Sequence, residues 1–196
     1  QVLAGLSAAR AAHALGEFAR RASLLAQAKD KAGSDTGLSE AVATAAADLY
    51  LDQGLAQQAL DVLLPLQQTG ARHVHTLRLL LRAYRQLNRS DQVLVLARTL
   101  SRRKALPSIE ARPLIEMAAA ARLRETLPSG DWQKIWKDLK ADERILPEVA
   151  LAGAAAFEAS GQPQEASKIL EAALEHELDP RLLEAYARCE PTQVAR

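Results

Sequence analysis

Cysteine occurs once in these 196 residues, at Cys189, so no disulfide forms within the chain and no paired-cysteine metal site exists; a reducing compartment suits such a chain. Aromatic residues make up only 4%, and β-branched residues are sparse beside the excess of Ala and Leu, which removes most of the material of which sheets are built. No stretch approaches the ~18 consecutive apolar residues of a membrane span, and no charged-then-apolar leader with a cleavage site is recognisable. Missing too are a glycine-rich phosphate cradle, an HExxH pair, a nucleophile in a strand-turn-helix setting and paired carboxylates with a reason to converge, so the chain reads as a non-enzyme. What is present, 48% hydrophobic and 25% charged residues, suffices for a continuous core of the all-α class.

The net charge is only +1, but it is unevenly spread. Between Arg72 and Arg112 ten Lys or Arg face two acids, Asp91 and Glu110, whereas between Asp131 and Glu190 thirteen acids face seven bases. The basic middle has no interleaved aromatics on which bases would stack, which argues against nucleic acid.

Two stretches, LDQGLAQQALDVLLPL and ASGQPQEASKILEAAL, share a pattern about a glycine. Aligned on that turn residue, the chain offers Gly16, Gly54, Asn88, Gly130 and Gly161, at spacings of 38, 34, 42 and 31. The scatter brackets the 34-residue period of tetratricopeptide repeats, each a helix A, a tight turn and a helix B. In the last unit a ring, Phe157, stands four residues before the turn and the small pair Gly153-Ala154 about four before that. After the turn come Ala166, Leu170, Ala173 and Leu174, so large meets small across the hairpin. Tyr50, Ala46-Ala47, Ala59 and Leu63 repeat this in the second unit, and Tyr84, Leu80-Leu81, Val93 and Leu100 in the third. The first and fourth units are degenerate, with Ala22 one position late and Thr126 where a ring is expected. Linkers are predicted at residues 29–37, 66–73, 101–108 and 127–131, and Pro107, Pro128, Pro147 and Pro180 fall at breaks that a proline tolerates. A hairpin cannot bury its apolar stripe alone, so residues 1–196 are expected to form one right-handed superhelical solenoid of about five tetratricopeptide-like hairpins.

In such a solenoid the concave face is lined by helix A residues pointing away from the hairpin core. Alignment on Tyr84 sets His75, Arg78, Arg82 and Arg85 along one stripe; the equivalent positions add Arg10 and His13, Arg124, and the acids Asp48 and Asp52. A groove cationic at its centre suits the carboxylates of a protein partner; the plainer reading is a solvated helix exterior. His73 and His75 stand at i and i+2, about 200° apart on a helix, and cannot share an ion there, so no metal site is expected. Trp132 and Trp136, four apart, are expected to pack as core anchors between hairpins.

Taken together, ARAAHALGEFARR, ADLYLDQGLAQQALDVLLPL, LRLLLRAYRQLNRSDQVLVLARTL, DWQKIWKDL and LPEVALAGAAAFEASGQPQEASKILEAALEHELDPRLLEAYAR resemble, in that order, the proteobacterial HemY proteins over almost the whole chain. Residues 132–139 and 178–188 are the most specific part. The resemblance implies a scaffold of late haem or porphyrin biosynthesis, held in the bacterial inner membrane by amino-terminal segments that precede this stretch, with the repeat domain on the cytoplasmic side and haem-biosynthesis enzymes as partners. It also raises direct haem or porphyrin binding, with His13 or His75 as axial ligand and His176 or Cys189 as further choices. A general envelope adaptor without any haem connection stays open. The flavin-dependent oxidase that shares the family's name does not fit, because its dinucleotide-binding glycines are missing here.

Overall fold

The structure is a computed structural model and describes residues 1–68 and 73–189. The described residues form twelve helices and no strand: α1 Val2–Ala14, α2 Phe18–Ala32, α3 Thr36–Asp52, α4 Ala56–Gln68, α5 Val74–Gln86, α6 Ser90–Arg102, α7 Ser108–Thr126, α8 Trp132–Asp138, α9 Ala141–Arg144, α10 Pro147–Ala159, α11 Pro163–His176 and α12 Pro180–Cys189. They fall into two compact units, the first comprising Gln1–Arg89 and the second beginning at Ser90. In the first, α1 packs on α2 and α3 on α4, while α1, α3 and α5 lie side by side in succession. In the second, α7 packs on α6, α8 and α10, α10 on α11, and α12 on both α10 and α11. The all-α expectation holds, with helices packed in chain order.

All five turn residues on which the repeat aligns adopt the left-handed conformation, with φ of 75° at Gly16 and Gly54, 53° at Asn88, 78° at Gly130 and 77° at Gly161. The reason is the closure of helix A. The amide of Leu55 donates to the carbonyl of Tyr50 (2.9 Å), that of Arg89 to Tyr84 (2.9 Å) and that of Gln162 to Phe157 (2.8 Å), a loop that requires positive φ at the residue between. At these three turns the ring residue four before is thus also the acceptor that ends the helix; at Gly16 that acceptor is Ala12.

Size complementarity is most evident around the tryptophans. Trp132 is buried with its ring 4.8 Å from that of Phe157, and Trp136 lies 5.7 Å from the same ring, both edge-on. Gly153 makes room for Trp136: a Cβ there would stand 2.8 Å from its Cη2 and closer still to Cζ3. Both tryptophans therefore anchor α8 to α10, as their spacing predicts.

Several boundaries differ from the sequence reading. The linker predicted at 29–37 contracts to three residues because α2 continues to Ala32 and Asp35 caps α3 through Leu38 N–H (2.9 Å). Of the linker predicted at 66–73, residues 69–72 lie outside the described residues. Pro107 precedes α7, Pro147 and Pro180 open α10 and α12, and Pro128 sits between α7 and α8, so these four prolines stand where helices break. The second helix of the fourth hairpin is not continuous: α8 stops after seven residues, Leu139 and Lys140 are extended, and the four-residue α9 follows. A buried ion pair from α6 secures the break. Arg98 Nε donates to Glu143 Oε1 (2.8 Å), Nη2 to Oε2 (2.5 Å) and Nη1 to Asp138 Oδ2 (2.9 Å), while Lys140 N–H donates to Glu143 Oε2 (3.0 Å). Burial pushes the Glu143 carboxyl up, but the Arg98 hydrogen bonds and the Lys140 amide together outweigh it and hold the group below its ordinary range.

Candidate functional site

The helix A face of the first unit is built where α5 lies against α3. The inner side of α5, with Leu77, Leu80, Leu81 and Ala83, is buried; that pattern turns Arg78, Arg82 and Arg85, at i, i+4 and i+7, to the other side. There Arg82 forks across to α3, with Nη2 donating to Asp52 (2.7 Å) and Nη1 to Asp48 (3.2 Å), and Gln86 Nε2 donates to the Leu51 carbonyl (3.0 Å). At the start of the helix, Thr76 is buried with its hydroxyl 3.5 Å from Glu40, and His73 Nε2 is 3.6 Å from the same carboxylate. His75, Arg78 and Arg85 are exposed.

The pairing corrects one expectation about charge. A groove cationic at its centre requires Arg82 to be available; instead it is neutralised by two carboxylates, and the three-residue cluster carries a net negative charge. Positive charge remains on either side, at Arg78 and Arg85. The fork is half exposed, so it contributes at most about 1 kcal/mol to holding the helices together. Its larger effect is on position: it ties α5, which itself sets the spacing of the two flanking guanidiniums, to α3.

Of the other residues read from the sequence, Arg10 is exposed on α1. His13 is half-buried beside α2, with Nδ1 3.2 Å from Arg21 Nη1 and its ring edge-on to Phe18 at 5.9 Å. A guanidinium only donates, so Nδ1 accepts and the ring proton resides on Nε2. Arg124 belongs to the second unit, where it joins a chain of ion pairs across three helices: Arg124 Nη2 to Glu148 (2.7 Å), Arg181 to the same carboxylate, and Arg181 Nη2 to Asp179 (2.8 Å). The hydrogen bond from Arg124, reinforced by that from Arg181, outweighs desolvation and holds the Glu148 carboxyl low. Its amide meanwhile donates to Glu116 (2.9 Å). His176 lines a cleft of about 320 Å³ with Arg102 and Lys140. Burial and the Glu158 carboxylate, which accepts from Sγ at 2.5 Å, push the Cys189 thiol up to about 11, so it is protonated at neutral pH.

A cleft of about 710 Å³ opens between α2 and α4 over α3, lined by Leu25, Val42, Ala46, Tyr50, Val62 and Leu66 among others. No residue singled out in the sequence as a ligand lines it. Among the described residues no group of three or more His, Cys, Asp or Glu converges as a metal site. The sequence reading missed three charged residues turned inward, Arg21 and the Arg98–Glu143 pair. A cue existed for Arg21: it occupies the place five after the turn where Ala59, Val93 and Ala166 are buried in the other hairpins. None existed for Arg98 and Glu143, which are 45 residues apart.

No protein-family model matches this chain, nor does any curated protein.

Proposed function

We propose that this chain is a non-enzymatic binding scaffold whose hairpins stack as a right-handed tetratricopeptide-type solenoid and whose helix A face in the first unit docks a partner protein. The observation that carries the reading is the disposition of Arg78 and Arg85. Both are exposed and without an internal partner, on a rigid helix, with the Arg82 fork holding that helix in register against α3. Such preorganised guanidiniums favour bidentate recognition of carboxylates at little entropic cost. The resemblance to HemY makes the partner an enzyme of late haem or porphyrin biosynthesis and the setting the cytoplasmic side of a bacterial inner membrane. Among the described residues no helix is long and apolar enough to cross a membrane, so attachment by this route requires segments outside them. The test is binding of purified late haem-biosynthesis enzymes by the Arg78→Glu/Arg85→Glu variant. Capture should be lost while helical circular dichroism and the melting temperature stay unchanged, and retained capture counts against this face.

A second reading, direct tetrapyrrole binding, has His75 in its favour, exposed one turn from Arg78 so that an axial nitrogen and a propionate partner share one helix face. Titration with haem, followed at the Soret band, distinguishes it: saturable one-to-one binding lost in His75→Ala and kept in His13→Ala assigns the ligand. No saturable binding leaves the protein-docking reading alone.

A further inference from the structure

The first hairpin buries a positive charge where three of its four counterparts bury a small apolar residue. Arg21, five after the Gly16 turn, is 5% exposed; Ala59, Val93 and Ala166 at the equivalent positions are buried too, so the register of the repeat dictates the burial. No carboxylate meets it. Its guanidinium carbon lies 5.4 Å over the Phe18 ring and 5.3 Å over the Tyr50 ring, Nη1 donates to Gln53 Oε1 and to His13 Nδ1, and Nε has no hydrogen-bond partner. The nearest acid in the chain, Glu17, is taken by Arg20 at 2.9 Å.

Burying a guanidinium without a counter-charge is costly, and alanine occupies this position, buried, in two of the other hairpins. The residues about the two turns are exposed: Leu15 is 72% exposed and Phe18 46% beside Gly16, with the Glu17–Arg20 pair next to them, and Leu55 is 37% exposed beside Gly54. Aromatic and arginine groups together at an exposed rim are the composition of protein-docking hot spots, and the hollow lined by Gly16, Phe18 and Arg20 is wide open, which disfavours a small ligand.

We propose that Arg21 is a receptor for the carboxylate of an acidic side chain in a partner's peptide segment, one flanked by an apolar residue that lies on Leu15, Phe18 and Leu55. Gln53, half-buried, acts as a neutral plug: its amide oxygen occupies the place of a carboxylate oxygen at Nη1 and swings away when the acid arrives. The site lies at the turn edge of the first unit and does not involve Arg78 or Arg85, so its failure and that of the docking face are separate results.

The test uses the whole chain and the blocked peptide acetyl-Leu-Glu-Phe-amide, with its Gln counterpart as the neutral control. Binding is followed by the 15N-correlated resonance of Arg21 Nε–H. The Glu peptide should shift that resonance saturably and bind about tenfold or more tighter than the Gln peptide, the value of a charged hydrogen-bond pair. Gln53→Glu should raise the melting temperature and abolish peptide binding, because the plug then carries the missing charge; Arg21→Met should also abolish binding. Equal binding of the two peptides, no saturable shift up to about 10 mM, or a Gln53→Glu variant that melts lower or binds as before would overturn the proposal. Phenylacetate binding as tightly as the Glu peptide would overturn the assignment to a peptide.

Discussion

Replacing Glu143 by Ala probes the buried pair that secures the break between α8 and α9. The carboxylate is 5% exposed and Arg98 17%, so little solvent screening dilutes the interaction. Removal takes away both oxygens that Arg98 Nε and Nη2 reach and orphans the Lys140 amide; what remains for the guanidinium is Asp138, an exposed residue. Breaking a buried pair costs about 3–5 kcal/mol, and the surviving Asp138 contact places this case at about 3. For a chain of this size that is a fall in melting temperature of about 6–12 °C, and urea unfolding followed by circular dichroism measures the same loss. The double variant Arg98→Met/Glu143→Leu removes both charges together and should come within about 1 kcal/mol of the unaltered chain. The pH dependence has a definite sign. Because the folded-state carboxyl lies below its ordinary value of 4.5, its contribution is present above that value and is lost as pH falls through the lower, folded one; the Gln variant should show a flatter acid limb. A loss below about 1 kcal/mol in Glu143→Ala, or a double variant as unstable as the single, would refute the reasoning.

Two further outcomes follow from packing and burial. Gly153→Ala forces a methyl group into the Trp136 indole and should destabilise the chain by about 1–3 kcal/mol, with a changed tryptophan emission spectrum; an unchanged melting temperature would mean that α8 is free to withdraw from α10. At pH 8 alkylation of Cys189 by iodoacetamide should run about one to two orders of magnitude slower than that of an unhindered thiol and quicken in Glu158→Gln, since a thiol raised from 9.0 to about 11 has little thiolate. A free-thiol rate in the unaltered chain would show that the Glu158 contact does not form.

The parts of the fold legible in the sequence are those fixed by nearby residues. The turn glycines and Asn88, the rings four positions ahead of them and the helix-opening prolines each state a backbone requirement that the chain itself announces. Helical spacing likewise placed Arg78, Arg82 and Arg85 on one face of their helix and Asp48 and Asp52 at the equivalent positions of theirs. It gave the angle about each axis but not the distance to the next helix, so Arg82 read as an available cation although two aspartates hold it. The break after Asp138 was illegible because its cause, Arg98, lies 45 residues from Glu143, and nothing in DWQKIWKDLKADER marks Glu143 as a buried acid.

The turns at Gly54 and Gly161 have one more property. A Cβ built at either position meets nothing within 4 Å, yet φ there is 75° and 77°. The constraint is therefore one of handedness and not of room: an L-residue pays about 1 kcal/mol or more for the conformation, whereas its mirror image would sit there unstrained, facing open space. Room for a first side-chain atom is thus not what selects glycine at these points, and Asn88, with φ 53° at the equivalent turn, bears the cost of handedness in the third hairpin.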